Sequence, residues 1–328
     1  MEQTQRSTMK TASSGVRESY YDVPPVKAPH WGWLIITYFF TGGLAGASFV
    51  IAALADLFSK DKALVRAGRY FSLAMLAVSP ILLILDLGRP DRAHHMFRIV
   101  KLRSPMSQGS WALLLLGAIA GPMALMQFIA DVTRRNLFGS TQRVLGVIGL
   151  PVSLFVSGYT GVLVSATNVP LWARNYLLWG PAFVSSAFST SLAALTVLLR
   201  ISGSEQRETA DALRRAETVS LMAEIGLIAA SLVRLGKFRE PLTSGRWGRL
   251  FWSGAVGAGM LLPLGLHLGA SRTHHQSSVG RRLFGATLAL VGGFLFRTVV
   301  VFAGKESANN PKYYFDFTRN PNGARQAK

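Results

Sequence analysis

Tyr38, Tyr159 and Arg297 stand inside long apolar stretches of this sequence, and Asp86, Arg89 and His94 stand at the ends of such stretches. A polar group inside an apolar stretch is costly to bury, so each is a candidate for function. Their chemistry is that of hydrogen-bond donors and proton carriers. Such a set suits a lipid-soluble ligand with a polar head. A quinone answers that description: its ring and tail need an apolar slot, its carbonyl oxygens need donors, and its reduction consumes protons. Glu224 and His267, with Arg297, are candidates for a proton path.

Each residue also has a plainer role open to it. Tyr38 could be an interfacial packing tyrosine, and Tyr159 could bond a neighbouring helix. Asp86 and Arg89, three apart in LDLGRP, could pair at a helix end. Arg297 could snorkel to the headgroups. Glu224 and His267 could bond each other.

Other chemistries lack their residues. No phosphate loop, dinucleotide fingerprint, HExxH or nucleophile elbow occurs. There is no cysteine, so the protein has neither disulfides nor a cysteine-ligated iron–sulfur cluster of its own. Of six histidines only His267 falls within an apolar stretch, whereas a membrane haem needs two facing imidazoles. No metal site is expected.

The elements that position these residues follow from the hydrophobic pattern. Half of the 328 residues are hydrophobic and 16% are charged, against ~25% charged in soluble domains. The apolar residues form about eight blocks, each long enough for the ~20 residues that cross a membrane as helix. They lie near residues 33–57, 70–87, 109–130, 144–166, 176–199, 219–235, 250–270 and 283–303. The expected fold is an all-α integral membrane protein. An extramembrane tail occupies residues 1–30, a transmembrane domain 31–304 and a second tail 305–328. The first 29 residues lack an apolar core and do not read as a signal peptide.

An even number of spans puts both tails on one face, called A here, opposite face B. Lys and Arg, which give a net charge of +19, lie between the apolar blocks and face phospholipid headgroups rather than nucleic acid. They are spread over both faces, so the charge bias sets no orientation. Counting residues along each helix puts Tyr38, Tyr159 and Arg297 roughly 10–13 Å below face A. Gly158 and Gly161 flank Tyr159 and would leave room for a flat ring. The loop 86–108 and the aromatic tail around PKYYFDF are expected to dock a partner on face A.

The stretches YYDVPPVKAPHWGW, YFFTGGLAGAS, LDLGRPDRAHHMFRIVKLRSPMSQGSW and SGYTGVLVSATNVPLW resemble, in that order, the NrfD-like family of polysulfide reductase membrane subunits. The resemblance implies a haem-free, multi-pass subunit of the inner (cytoplasmic) membrane with two four-helix bundles. It implies quinone (menaquinone or ubiquinone) as bound substrate. It also implies an iron–sulfur electron-transfer partner, joined to a molybdopterin oxidoreductase or another redox subunit. A tyrosine of the YTG-type helix, here Tyr159, would line the quinone pocket with polar residues early in the first helix. At that second place this protein has Trp33 and Tyr38, where some members have Asn or His. A secondary transporter and a purely structural anchor are the alternatives.

Overall fold

A computed structural model describes residues 27–59, 61–88, 91, 94–98, 100–101, 103–135, 137–272, 279–311, 313 and 317; for 96, 97 and 270–272 it describes the backbone alone. Among these residues eight helices are long and apolar enough to cross a membrane. The protein is an all-α, multi-pass integral membrane protein. Within lipid, every backbone amide must find its partner inside its own helix, and this leaves continuous helices as the economical solution.

The first bundle contains α1 (Trp33–Phe58), α2 (Lys62–Asp86), α4 (Pro105–Thr133) and α5 (Gly139–Ser165), with a short α3 (His95–Arg98) between α2 and α4. The second contains α7 (Tyr176–Ile201), α8 (Arg207–Leu235), a seventh span (Gly245–Gly269) and α12 (Val279–Asn309). The seventh span comprises α10 (Gly245–Arg249), wide π-type turns over Leu250–Leu261, and α11 (Leu262–Arg272). A short α9 (Glu240–Thr243) precedes it. Helices α1, α5, α7 and α12 pack together where the two bundles meet.

Local chemistry explains the joints. Asp61 caps α2, its carboxylate accepting from the amides of Ala63 and Leu64. Pro105 opens α4, where a missing amide hydrogen costs nothing. The GGLAGAS stretch lets α1 meet α5 backbone to backbone: a Cβ on Gly46 would lie 2.5 Å from the Ser153 carbonyl oxygen.

Several elements are longer than their apolar blocks. Helix α2 starts at Lys62 rather than near 70, and α8 starts at Arg207 rather than near 219. Charged first turns hide a helix from a hydropathy reading, although their inward faces are packed: Thr209, Leu213 and Glu217 are all buried. The segment 167–175, between the fourth and fifth apolar blocks, holds the buried α6 (Pro170–Arg174). Trp172 of α6 is fully enclosed, stacks on Trp31 and donates to the Val300 carbonyl. On face A the tail folds back on its own chain. Tyr313 donates to Glu240 at 2.6 Å, and Phe317 packs edge-on against Phe238. Burial and the neighbouring Glu240 carboxylate push the Tyr313 phenol above its ordinary range.

Candidate functional site

Tyr38 of α1 and Tyr159 of α5 are buried side by side and line one crevice. Gly42 and Gly43 of α1, Gly109 and Leu113 of α4, and Val156 and Thr160 of α5 complete it. The crevice is closed down to about 10 Å³. The Tyr159 hydroxyl donates to the Pro105 carbonyl at 3.0 Å. Room for that phenol comes from Gly109, where a Cβ would lie 2.1 Å from Tyr159 Cζ. Gly158 and Gly161 serve another purpose. A Cβ on either would strike α7, at Val184 or at the Gly180 backbone. They set the α5–α7 contact and leave no space for a ligand ring.

An apolar groove of about 340 Å³ opens between α2 and α4, walled by Leu76, Pro80, Leu83, Leu114 and Gly117. Leu113 lines both groove and crevice. The groove therefore meets the tyrosines through one residue.

Arg297 stands directly behind the crevice and is fully enclosed. Its Nε donates to the Phe39 carbonyl at 3.3 Å, and its Nη1 donates to Gly293 O at 2.9 Å and Ser186 Oγ at 3.1 Å. The rings of Phe40 and Phe183 lie over the guanidinium at 5.5 and 5.7 Å. Nη2 has no hydrogen-bond partner, and it lies 2.8 Å from where a Gly43 Cβ would stand. Because Gly43 has no side chain, only backbone separates this cation from the crevice. The residue does not snorkel, since interior partners hold it in place.

The buried polar groups continue toward face B. Glu224 accepts from Ser189 at 2.9 Å, and its other oxygen has no partner. Ser186 and Ser189 lie one turn apart on the same face of α7, so they bring Arg297 and Glu224 to the same side of that helix. Glu217 sits two turns further toward face B on α8, ~10 Å along the axis. It pairs with His267, Oε2 to Nε2 at 3.7 Å, and Thr218 Oγ1 meets His267 Nδ1 at 3.3 Å. Glu224 and His267 therefore do not bond each other. Glu217 escaped the sequence reading because it falls in the charged part of α8, outside the apolar block. Its i, i+7 spacing from Glu224 was the available signal.

The other expected residues lie elsewhere. Trp33 is 58% exposed and packs against Phe294 and Phe302 on the outer side of α12. Asp86 is exposed at the end of α2. His94 is exposed and bonds the Asp91 carbonyl. Arg89 is outside the described residues, so the Asp86–Arg89 pair is too. Among the described residues no group of three or more His, Cys, Asp or Glu could hold a metal.

The family model for polysulfide reductase, NrfD, matches residues 23–307. The chain belongs to the NrfD family. Full-length relatives agree with that match. A polysulfide reductase chain of Wolinella succinogenes is 25% identical, the match taking in 84% of the present protein and 94% of the relative. Protein NrfD of Escherichia coli is 24% identical, over 84% and 95%. A putative dimethyl sulfoxide reductase membrane subunit of Halobacterium salinarum is 24% identical, over 85% and 70%. As an NrfD-family member, this protein is a membrane subunit of a redox complex. The matched residues include the whole Tyr38–Tyr159–Arg297 constellation.

Proposed function

We propose that the protein is the quinone-reactive subunit of an oxidoreductase in the inner (cytoplasmic) membrane. It passes electrons between the quinone pool and an iron–sulfur subunit docked on face A, itself joined to a molybdopterin or other redox subunit. The observation that carries this reading is the convergence of Tyr38, Tyr159 and Arg297, from three helices, on one crevice beside an apolar groove. The relatives named as reductase subunits support it.

In this reading the quinone head lies between the two tyrosines and the tail lies in the α2–α4 groove. A ligand pocket is typically ~300–1,000 Å³, so the head enters as Leu113 and Tyr159 turn aside. The Tyr159 hydroxyl exchanges its acceptor at low cost, because Pro105 O keeps its helical bond from the Gly109 amide. Reduction to quinol takes two electrons, supplied by the partner, and two protons. Glu217, His267 and Glu224 form the route by which those protons arrive from face B, and Arg297 stands at its inner end as a fixed positive charge.

Tyr159→Phe tests the hydroxyl and leaves the ring in place. A lost neutral hydrogen bond of ~0.5–1.5 kcal/mol should weaken quinone affinity roughly two- to tenfold. The measurement is quinone-linked electron transfer in assembled complex at several quinone concentrations. Superimposable wild-type and variant curves would remove Tyr159 from the ligand set. Leu113→Trp tests the groove. It should raise KM for a long-tailed quinone several-fold more than for a tail-less analogue, and equal changes would dissociate groove from crevice.

A further inference from the structure

A second cavity, of about 650 Å³, lies at the opposite end of the first bundle, among the face-B ends of α1, α2, α4 and α5. Six cations line it: Lys62, Arg66, Arg69, Arg134, Arg135 and Arg143. The three carboxylates that also line it are engaged. Asp56 pairs with Arg69 at 3.0 Å. Asp131 accepts from Tyr70 and Gln127 at 2.8 and 3.0 Å. Asp61 accepts from the first amides of α2 and from Thr209. Among the described residues none of the other five cations has a salt bridge.

The floor is built rather than incidental. Arg69 is 6% exposed and bonded to Asp56 and Gln127, while its Nε is buried without a partner. Arg134, the single non-glycine residue with positive φ (55°) among those described, ends α4 in a left-handed turn, and it and Arg135 both line the cavity. Close in sequence to the lining residues Asp131, Arg135 and Arg143, Val132, Leu137 and Val144 are exposed. Cations at headgroup depth beside outward apolar side chains match a phosphate carried on acyl chains.

We infer that this cavity binds the phosphate headgroup of an anionic phospholipid, with diphosphatidylglycerol, which carries two phosphates, as the best-matched class. The shared chemistry is phosphate recognition by arginine forks. The volume and five unpaired cations exceed what one inorganic phosphate requires, and the exposed apolar side chains beside the lining residues suit acyl chains.

The test is native mass spectrometry of the purified complex, titrated with diphosphatidylglycerol, phosphatidylcholine or inorganic phosphate. Wild type should retain diphosphatidylglycerol in preference to phosphatidylcholine, and millimolar phosphate should not displace it. The Arg134→Gln/Arg135→Gln/Arg143→Gln variant should bind it at least about tenfold more weakly, since each basic residue near a membrane surface contributes measurably. All three side chains are exposed, so folding does not depend on them. Displacement by phosphate would overturn the lipid assignment. Equal binding by variant and wild type, or no preference over phosphatidylcholine in wild type alone, would overturn the site.

Discussion

Arg297→Met is expected to destabilise the second bundle by about 3–5 kcal/mol, and adding Glu224→Gln is expected to recover the larger part of that loss. Removing one partner of a buried charge pair leaves the other uncompensated, which is what carries the cost. Arg297 bonds Ser186 and Glu224 bonds Ser189, one turn apart on the same face of α7, and both charged groups are buried. The acceptors that Arg297 leaves matter less. Phe39 O and Gly293 O sit within helices and keep their backbone bonds. Methionine fills the volume between Phe40 and Phe183, so the change isolates the charge. Chemical denaturation of the solubilised subunit measures the effect. A double variant as unstable as Arg297→Met would mean the two groups are independent. Glu224→Gln alone should cost less than Arg297→Met, because the guanidinium keeps Phe39 O, Gly293 O and Ser186 Oγ as acceptors. It should assemble, keep its quinone KM, and lose roughly 100-fold in turnover if the carboxyl carries protons. Unchanged turnover would take Glu224 out of the proton route.

Why Tyr38, Tyr159 and Arg297 could be found from sequence, and much of their setting could not, has a physical explanation. Hydropathy and helical rise fix depth along the membrane normal, so residues of similar depth could be grouped. Rotation about a helix axis and the identity of neighbouring helices are not encoded in any local stretch. Trp33 has the right depth, yet it points outward to Phe294 and Phe302. Asp86 and His94 are on the right face, yet they are exposed and away from the crevice. Glycines mislead for the same reason. Gly158 and Gly161 flank Tyr159 in sequence but meet α7, whereas Gly109, on the preceding span, makes room for the ring. Gly43 matters because Arg297, on the last span, lies behind it. Glu217, Arg69 and Gln142 were hidden by charged surroundings that read as loop, although all three are buried in the fold.

Gly109→Ala is expected to lower quinone-linked turnover to less than about a tenth of wild type while leaving the complex assembled. The added Cβ would stand 2.1 Å from Tyr159 Cζ and 2.3 Å from its oxygen, so the phenol must leave its place. Backbone on α4 cannot yield as a flexible side chain would, and the ring is therefore the part that moves. Its exit routes are into the crevice toward Tyr38 and Leu113 or away from Pro105 O, and both disrupt the arrangement proposed to hold the quinone head. Two opposing terms set the stability. Overpacking costs ~1–3 kcal/mol, and replacing glycine by alanine within a helix returns up to ~1 kcal/mol. The net loss is too small to unfold the bundle, so the activity loss should exceed the assembly loss. It should also exceed the two- to tenfold effect of Tyr159→Phe, because the ring is displaced as well as the hydrogen bond broken. Gly121→Ala is the control: it lies on the same helix, and its Cβ would meet nothing within 4 Å. Turnover is measured for both variants against the amount of assembled complex. If Gly109→Ala and Gly121→Ala turn over alike, the crevice between Tyr38 and Tyr159 is not where the quinone head reacts.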